Sequence, residues 1–227
     1  MALIVIEGLD GAGKSTQVGL LQDYFKRNNK PYTYLHFPRT DSAVYGDLIA
    51  RFLRGELGNN NEVNPYLVAL IYAGDRADAK AQLLTWLNEG TNIILDRYVY
   101  SNIAYQCAKL NEPAKQTELK KWILDTEFGY FGLPMPDMNI FLDVPFSFTE
   151  RKLKGIRTGE SRTYLNGQRD IHEEDLDFQK KVRAIYLSLE QEETFTKILC
   201  TGDEDSMLSP EVIFDKIIQK LKFKNIL

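Results

Sequence analysis

The chain has 227 residues, of which 44% are hydrophobic and 26% are charged, and its formal net charge is −4. This composition excludes a largely disordered chain, and the lack of a basic surplus excludes a general nucleic-acid binder. Because no apolar run is long enough to span a membrane and residues 1–6 are too short for a signal peptide, we expect no membrane partner and a cytoplasmic location.

Short apolar runs alternate with longer amphipathic patterns along the chain. We predict β-strands over residues 3–7, 32–36, 92–96, 138–143 and 197–200. The alternation is typical of an α/β fold, here a five-stranded parallel sheet flanked by helices that bury both of its faces. Ligands of such sheets bind beyond the carboxyl ends of the strands.

The segments between these strands carry helix signals. We predict helices over residues 16–28, 43–53, 65–90, 113–128, 147–154, 174–191 and 210–220. Asn64 before Pro65 is a typical cap followed by a first-turn proline. Residues 155–172 are polar, contain glycines and lack periodicity, so we interpret them as a mobile lid within one domain spanning residues 1–227.

A glycine-rich loop follows the first predicted strand. The residues that match the G-x-x-x-x-G-K-[ST] motif are Gly8, Leu9, Asp10, Gly11, Ala12, Gly13, Lys14 and Ser15, and Thr16 continues into the helix. Glycines let backbone N–H groups close around phosphate oxygens, and the helix N-terminus adds partial positive charge. Lys14 is expected to hold the β- and γ-phosphates, and Ser15 to ligate Mg²⁺. Residues 8–16 therefore predict a site for ATP with Mg²⁺.

This motif indicates a nucleoside triphosphate but does not by itself identify a kinase. A switch GTPase would also carry an Asn-Lys-x-Asp element, whereas Asn29 and Lys30 are followed by Pro31. The third predicted strand ends in Asp96, which has the form of a second metal-positioning element. The alternative for Asp96 is a helix cap, and the alternative for the following Arg97 is a surface salt bridge.

Arginines recur where loops meet the predicted sheet edge. They are Arg39, Arg76 and Arg97, together with Arg157, Arg162 and Arg169 in the predicted lid. Each alone is more often a solvated surface residue, so the interpretation depends on their joint position. Phosphoryl transfer needs such cations, because charge accumulates on the oxygens of the transferred group.

Five segments together resemble the bacterial thymidylate kinases of the P-loop nucleoside monophosphate kinase superfamily. They are EGLDGAGKST at 7–16, FPR at 37–39, GDR at 74–76, LDRYVYSNIAYQ at 95–106 and GLPMPD at 132–137. The resemblance implies a P-loop kinase fold that phosphorylates dTMP to dTDP with ATP and Mg²⁺ in dTTP synthesis, without a covalent enzyme intermediate. It also implies a homodimer in which helix 65–90 or helix 99–110 supplies an apolar face.

The resemblance further implies a set of acceptor-binding residues. These are Asp10, Phe37, Arg39, Tyr72, Arg76, Arg97, Ser101, Asn102 and Tyr105. Arg39 and Arg97 match residues that hold the acceptor phosphate in a pocket shaped by Phe37. Asp10 matches a residue that places the sugar 3′-hydroxyl and the metal, and Tyr105 matches one that crowds the ribose 2′ position.

Arg76 and Asn102 match the residues that read the thymine edge, and Ser101 lies beside them. Tyr72 stands where an aromatic ring stacks on the base, although a tyrosine at this helical spacing could equally belong to the core.

The eukaryotic branch carries an arginine in its phosphate loop, and residues 9–12 here contain none. The resemblance then assigns that role to the lid, where Arg157, Arg162 and Arg169 compete and Arg169 aligns best. We accordingly predict Asp10, Lys14, Arg97 and Arg169 as the catalytic set, with Ser15 and Asp96 at the metal. His172 falls where some relatives have tyrosine, and we interpret it as a boundary residue between lid and helix.

Two other functions remain open from the sequence. A related deoxynucleoside kinase would have no acceptor phosphate for Arg39 and Arg97 to bind. A regulatory P-loop nucleotide-binding module would need neither this second set of arginines nor a small-molecule acceptor.

Overall fold

The computed structural model describes residues 1–60, 62–154, 165, 170–172 and 175–227. Its strands are β1 Leu3–Glu7, β2 Tyr32–His36, β3 Asn92–Asp96, β4 Met138–Asp143 and β5 Phe195–Leu199. Its helices are α1 Lys14–Arg27, α2 Tyr45–Leu53, α3 Pro65–Asn88, α4 Val99–Cys107, α5 Pro113–Leu124, α6 Phe146–Lys154, α7 Leu176–Ser188 and α8 Pro210–Phe223.

The five strands form one parallel sheet in the order β2-β3-β1-β4-β5, which confirms the predicted α/β architecture. β1, β3 and β4 are buried along their whole length, as strands covered on both faces should be. Since all five strands run the same way, the chain segments after β1, β2 and β3 emerge at one edge. That edge carries the phosphate loop, Phe37 and Arg97.

The predicted last strand was wrong at both ends. β5 begins at Phe195, whose buried ring stacks on Phe141 with a centroid distance of 6.0 Å. It ends before Cys200, whose N–H donates to the carbonyl of Asp143. The strand starts earlier because Phe195 and Thr196 already pair with Asn139 and Ile140 of β4.

The predicted helix over residues 113–128 was also wrong at its end. The α-helical part stops at Leu124 and a π-helical turn follows over Asp125–Tyr130. The wider turn carries Glu127, which has no exposed surface, into the protein interior. Among the other helices, α3 starts as expected, because the Asn64 side chain accepts a hydrogen bond from the N–H of Tyr66.

Helix α4 follows β3 after Arg97 and Tyr98, and all nine of its residues are buried. It packs against α3, α5 and α7, so both of its ends are fixed within the core. In the described ranges, no helix combines the length and apolar character needed to cross a membrane.

Candidate active site

A cavity of about 740 Å³ opens at the carboxyl edge of the sheet. The predicted site residues that line it are Asp10, Gly11, Ala12, Gly13, Lys14, Ser15, Phe37, Arg39, Tyr72, Arg76, Asp96, Arg97, Ser101, Asn102 and Tyr105. Gly8 and Leu9, at the start of the loop, are buried and do not line the cavity, and Thr16 is exposed in the first turn of α1. Arg157, Arg162 and Arg169 lie outside the described residues.

The phosphate loop has the backbone that its glycines predict. Gly11 and Gly13 have φ values of 78° and 85°, in the left-handed region where a side chain is disfavoured. Lys14 is buried, and its Nζ donates to the carbonyls of Gly8 and Leu9 at 3.3 and 3.0 Å. Burial, followed by the nearby charge of Arg97, lowers the pKa of Lys14 to about 8. A bound phosphate would place negative charge beside this amine and so favour its protonated form.

Asp96 and Ser15 both face the cavity and fit a Mg²⁺ ion. The Asp96 carboxylate is buried, and its Oδ1 has no hydrogen-bond partner among the described residues. Oδ2 lies 3.5 Å from Nδ1 of His36. The Ser15 hydroxyl and the Asp96 carboxylate are hard oxygen ligands, which Mg²⁺ prefers. Asp96 does not cap α4, since the N-cap residue is Tyr98.

Arg97 is the centre of a buried hydrogen-bond network and is not a surface salt bridge. Its Nη2 donates to Asp10 Oδ1 at 2.8 Å and to the Tyr105 hydroxyl at 3.2 Å. Its Nη1 donates to Ser101 Oγ at 3.1 Å, and the Tyr105 hydroxyl donates to Asp10 Oδ2 at 2.7 Å. Arg97 has a φ of 68°, which is uncommon for a residue with a side chain and is typical of functional sites.

Glu7 is hydrogen-bonded to Ser101 of this network. Glu7 was not identified as a site residue from the sequence. Its carboxylate accepts hydrogen bonds from the N–H groups of Tyr98 and Ser101 at 3.0 and 3.2 Å. It also accepts from Ser101 Oγ at 2.5 Å and from the Tyr186 hydroxyl at 2.9 Å. Burial raises the pKa of Glu7. The available signal was an acid at the end of an apolar strand directly before Gly8.

Arg76 lines the cavity and forms a buried ion pair with Glu127 behind the cavity wall. The Arg76 guanidinium binds Glu127 through two parallel hydrogen bonds, of 2.5 Å from Nε and 2.7 Å from Nη2. Asn102 Nδ2 donates to Glu127 Oε1 at 2.9 Å and to the carbonyl of Ala69 at 3.0 Å, while Asn102 Oδ1 has no partner among the described residues. Tyr72 is half-buried; it lines the cavity and also packs against the smaller hydrophobic cluster between α2 and α3, so both expectations for this residue hold in part. The N–H donors of Arg76 and the acceptor Oδ1 of Asn102 thus lie close together in the cavity wall.

Arg39 and Gln106 also line the cavity. Arg39 is held by Asp75 and Asp78, with Nε–Oδ1 and Nη2–Oδ2 distances of 2.9 and 2.6 Å. Gln106 is buried one turn after Asn102, lines the cavity and has an Oε1 without a partner among the described residues. Sequence reasoning missed Gln106, although it lies in the quoted segment 95–106.

His172 lines the same cavity, so it contacts the site as well as lying near the start of helix α7. Helix α7 begins later, at Leu176, and its cap is Asp175. The imidazole is 5% exposed and lies against the rings of Tyr105, Phe52 and Phe178, with centroid distances of 5.0, 5.4 and 5.5 Å. Burial, followed by the charge of Lys109, lowers the pKa of His172 to about 3.

This environment predicts a specific acid sensitivity. A histidine of the unfolded chain has a pKa of about 6.5, so the unfolded state binds the proton more tightly than the folded state, where the pKa is about 3. We expect the His172 contribution to stability to be complete above about pH 6.5 and to fall by about 1.4 kcal/mol per pH unit below it.

Urea unfolding at pH 7, 6 and 5 measures this effect by comparing the wild-type chain with His172→Phe. Phenylalanine retains a ring but has no titratable group, so the wild type should lose stability relative to the variant as the pH falls. A constant difference between the two proteins would contradict the buried neutral imidazole.

One cavity thus brings together the phosphate loop, the Asp96 carboxylate that fits a metal ion, and the cations Arg39 and Arg97. This arrangement defines an enzyme that transfers phosphoryl groups and acts on nucleotides. The sequence profile of the family described as thymidylate kinase matches residues 6–207. Thymidylate kinase of Mycobacterium tuberculosis is 36% identical over 188 residues, which cover 82% of this chain and 85% of that protein. Thymidylate kinase of Dictyostelium discoideum is 30% identical over 229 residues, covering 98% and 89%.

The solved structure of thymidylate kinase from Candida albicans superimposes with a TM-score of 0.74 at 25% identity, covering 99% of this chain and 92% of that one. The chain belongs to the thymidylate kinase family. It is an enzyme that phosphorylates dTMP in dTTP synthesis.

Proposed function

We propose that the chain transfers the γ-phosphoryl group of ATP directly to the 5′-phosphate of dTMP, giving ADP and dTDP without a covalent enzyme intermediate. The observation that carries this proposal is the ion pair between Arg97 and Asp10. It joins a cation at the end of β3 to the phosphate loop, so donor and acceptor phosphates would meet within one cavity. Positioning and electrostatic stabilisation are then the protein's main contributions.

Residues 8–16 hold the donor in this proposal. Backbone N–H groups of the loop and the Lys14 ammonium bind the ATP phosphates, and Lys14 exchanges its present carbonyl partners for phosphate oxygens. Ser15 and Asp96 hold Mg²⁺, which neutralises charge on the phosphate oxygens when it is bound. The unpartnered Oδ1 of Asp96 supports this assignment.

Arg39 and Arg97 hold the acceptor phosphate in this proposal, beside Phe37. Both guanidiniums are already oriented by carboxylates, Arg39 by Asp75 and Arg97 by Asp10. Such pre-orientation lowers the entropy lost on binding. Asp10 accepts a hydrogen bond from the sugar 3′-hydroxyl, and Tyr105 lies at the 2′ position of the sugar.

The thymine base occupies the other end of the cavity. Asn102 Oδ1 accepts from the ring N–H, and the guanidinium N–H groups of Arg76 that do not bind Glu127 donate to a ring carbonyl. Tyr72 packs on the base, and Ser101 ties this end to Arg97. The free acceptor on Asn102 is the feature that supports thymine over cytosine, whose ring nitrogen carries no hydrogen.

We further propose a bacterial-type enzyme of the P-loop superfamily, in which residues 1–227 form one domain with a lid at about 155–172. The phosphate loop carries no arginine, so the lid supplies one, and Arg169 is preferred over Arg157 and Arg162. We place the enzyme in the cytoplasm, with nucleotides rather than nucleic acids as partners.

A homodimer through α3 also belongs to this proposal. Leu67, Leu70 and Leu84 are exposed and fall along one side of that helix. Helix α4, the other candidate, is buried along its whole length by its own chain and has no face to offer. An exposed apolar stripe on a long helix favours association with a second copy.

ADP release from ATP and Mg²⁺ tests the reaction, with dTMP, dUMP, dCMP, dGMP, AMP and thymidine as parallel acceptors. We expect strong preference for dTMP. Activity with thymidine alone would instead indicate a deoxynucleoside kinase, and acceptor-independent hydrolysis would indicate a regulatory module.

A further inference from the structure

Backbone hydrogen bonds place His172 in the wall of the cavity. The Ile171 N–H donates to the Leu53 carbonyl at 3.1 Å, and the His172 N–H donates to Asp170 Oδ1 at 2.8 Å. The His172 carbonyl accepts from Gln179 Nε2 at 2.8 Å. These bonds join residues 170–172 to α2 and α7 and bring the imidazole into the cavity wall.

The imidazole supports Tyr105 where hydrogen bonds do not. The Tyr105 hydroxyl is fixed by Asp10 and Arg97, and the Arg97 guanidinium also lies over the ring, 5.1 Å from its centroid. Packing holds the ring itself, and the nearest aromatic neighbour is His172, at a centroid distance of 5.0 Å, followed by Phe178 at 6.1 Å. Without the imidazole, the tyrosine ring could tilt toward the space left behind.

We attribute this support to the packing of the ring, since the buried nitrogen Nε2 makes no hydrogen bond to Tyr105. His172 Nε2 is buried and has no hydrogen-bond partner among the described residues. A neutral ring that donates nothing through this nitrogen acts on Tyr105 through its flat surface. A hydrocarbon ring of similar size should therefore substitute for it.

We propose that His172 is a specificity-determining residue that selects deoxyribose over ribose in the acceptor by holding the Tyr105 ring against the sugar 2′ position. This inference rests on the proposed function, in which Tyr105 lies at that position. It assigns to His172 a role in discriminating between sugars and none in proton transfer.

The experiment compares kcat/KM for dTMP with kcat/KM for ribothymidine 5′-monophosphate, using ATP and Mg²⁺ throughout. The variants are His172→Ala, which removes the support, and His172→Phe, which retains a ring. Phe195→Ala is the matched control, because it truncates a buried ring that packs on Tyr100 and Phe141 and does not line the cavity.

We expect His172→Ala to lower the preference for the deoxyribose substrate by about tenfold, the scale on which a packed pocket discriminates one small group. His172→Phe and Phe195→Ala should retain the wild-type ratio within about twofold. If His172→Ala does not fold, His172→Val replaces it, since valine also leaves space beside the Tyr105 ring, and the same direction is expected.

Three results would overturn the inference. Equal loss of activity on both substrates in His172→Ala would leave His172 with a purely structural role. Loss of discrimination in His172→Phe would assign the effect to the nitrogen atoms. A wild-type enzyme that accepts both sugars equally would remove the discrimination itself. Failure of the proposed function is distinguishable, because the wild type would then release no ADP with dTMP.

Discussion

Lys14→Ala is expected to abolish most of the turnover while leaving the fold intact. Lys14 Nζ is buried among the phosphate-loop carbonyls, at the place where the donor phosphates would bind. Removing one pre-oriented cation or donor from such a site costs about 10²–10³ in kcat. The loop itself depends on the left-handed conformations of Gly11 and Gly13, which alanine at position 14 does not disturb.

Steady-state ADP release and thermal unfolding measure the two sides of this prediction. Lys26→Ala is the control, since Lys26 is exposed on the same helix α1. The control should retain wild-type kcat, and both variants should melt near the wild-type temperature. Wild-type turnover in Lys14→Ala would show that the glycine-rich loop does not bind the reacting phosphates.

The phosphate loop and the first four strands were predictable because their signals are local. A buried parallel strand appears as a continuous apolar run, and the loop as a fixed spacing of glycines, lysine and serine. The positions of Asp96 and Arg97 follow from the same logic, since Asp96 ends a recognisable strand and Arg97 directly follows it. Their shared edge of the sheet then brings them beside Lys14.

The supporting contacts were not predictable, because they join residues that are far apart in sequence. Glu7 binds Ser101 and Tyr186, which are 94 and 179 positions away. Glu127 reaches Arg76 only because a π-helical turn interrupts a segment that looks uniformly helical. His172 lies in a polar stretch without periodicity, so no pattern indicated that it would be buried.

Glu127→Ala is expected to cause the largest loss of stability among single changes around the cavity. Both partners of the Arg76–Glu127 pair are almost completely buried. Truncating the glutamate leaves a guanidinium charge without its partner in the interior, which costs about 3–5 kcal/mol. Urea unfolding should detect this loss, whereas Glu112→Ala, which breaks an exposed pair with Lys115, should leave the stability close to that of the wild type.

The double variant Arg76→Met with Glu127→Leu separates the structural role of this pair from its role in binding. Replacing a buried ion pair by apolar residues of similar volume is often neutral for stability, so we expect near wild-type unfolding. The same variant lacks the arginine donors and the carboxylate that orients Asn102, so its KM for dTMP should rise far more than its KM for ATP. Equal changes in the two KM values would contradict the assignment of this end of the cavity to thymine. Stable folding with selective loss of dTMP binding would mean that the buried pair orients the groups that recognise the base and is not required for the fold.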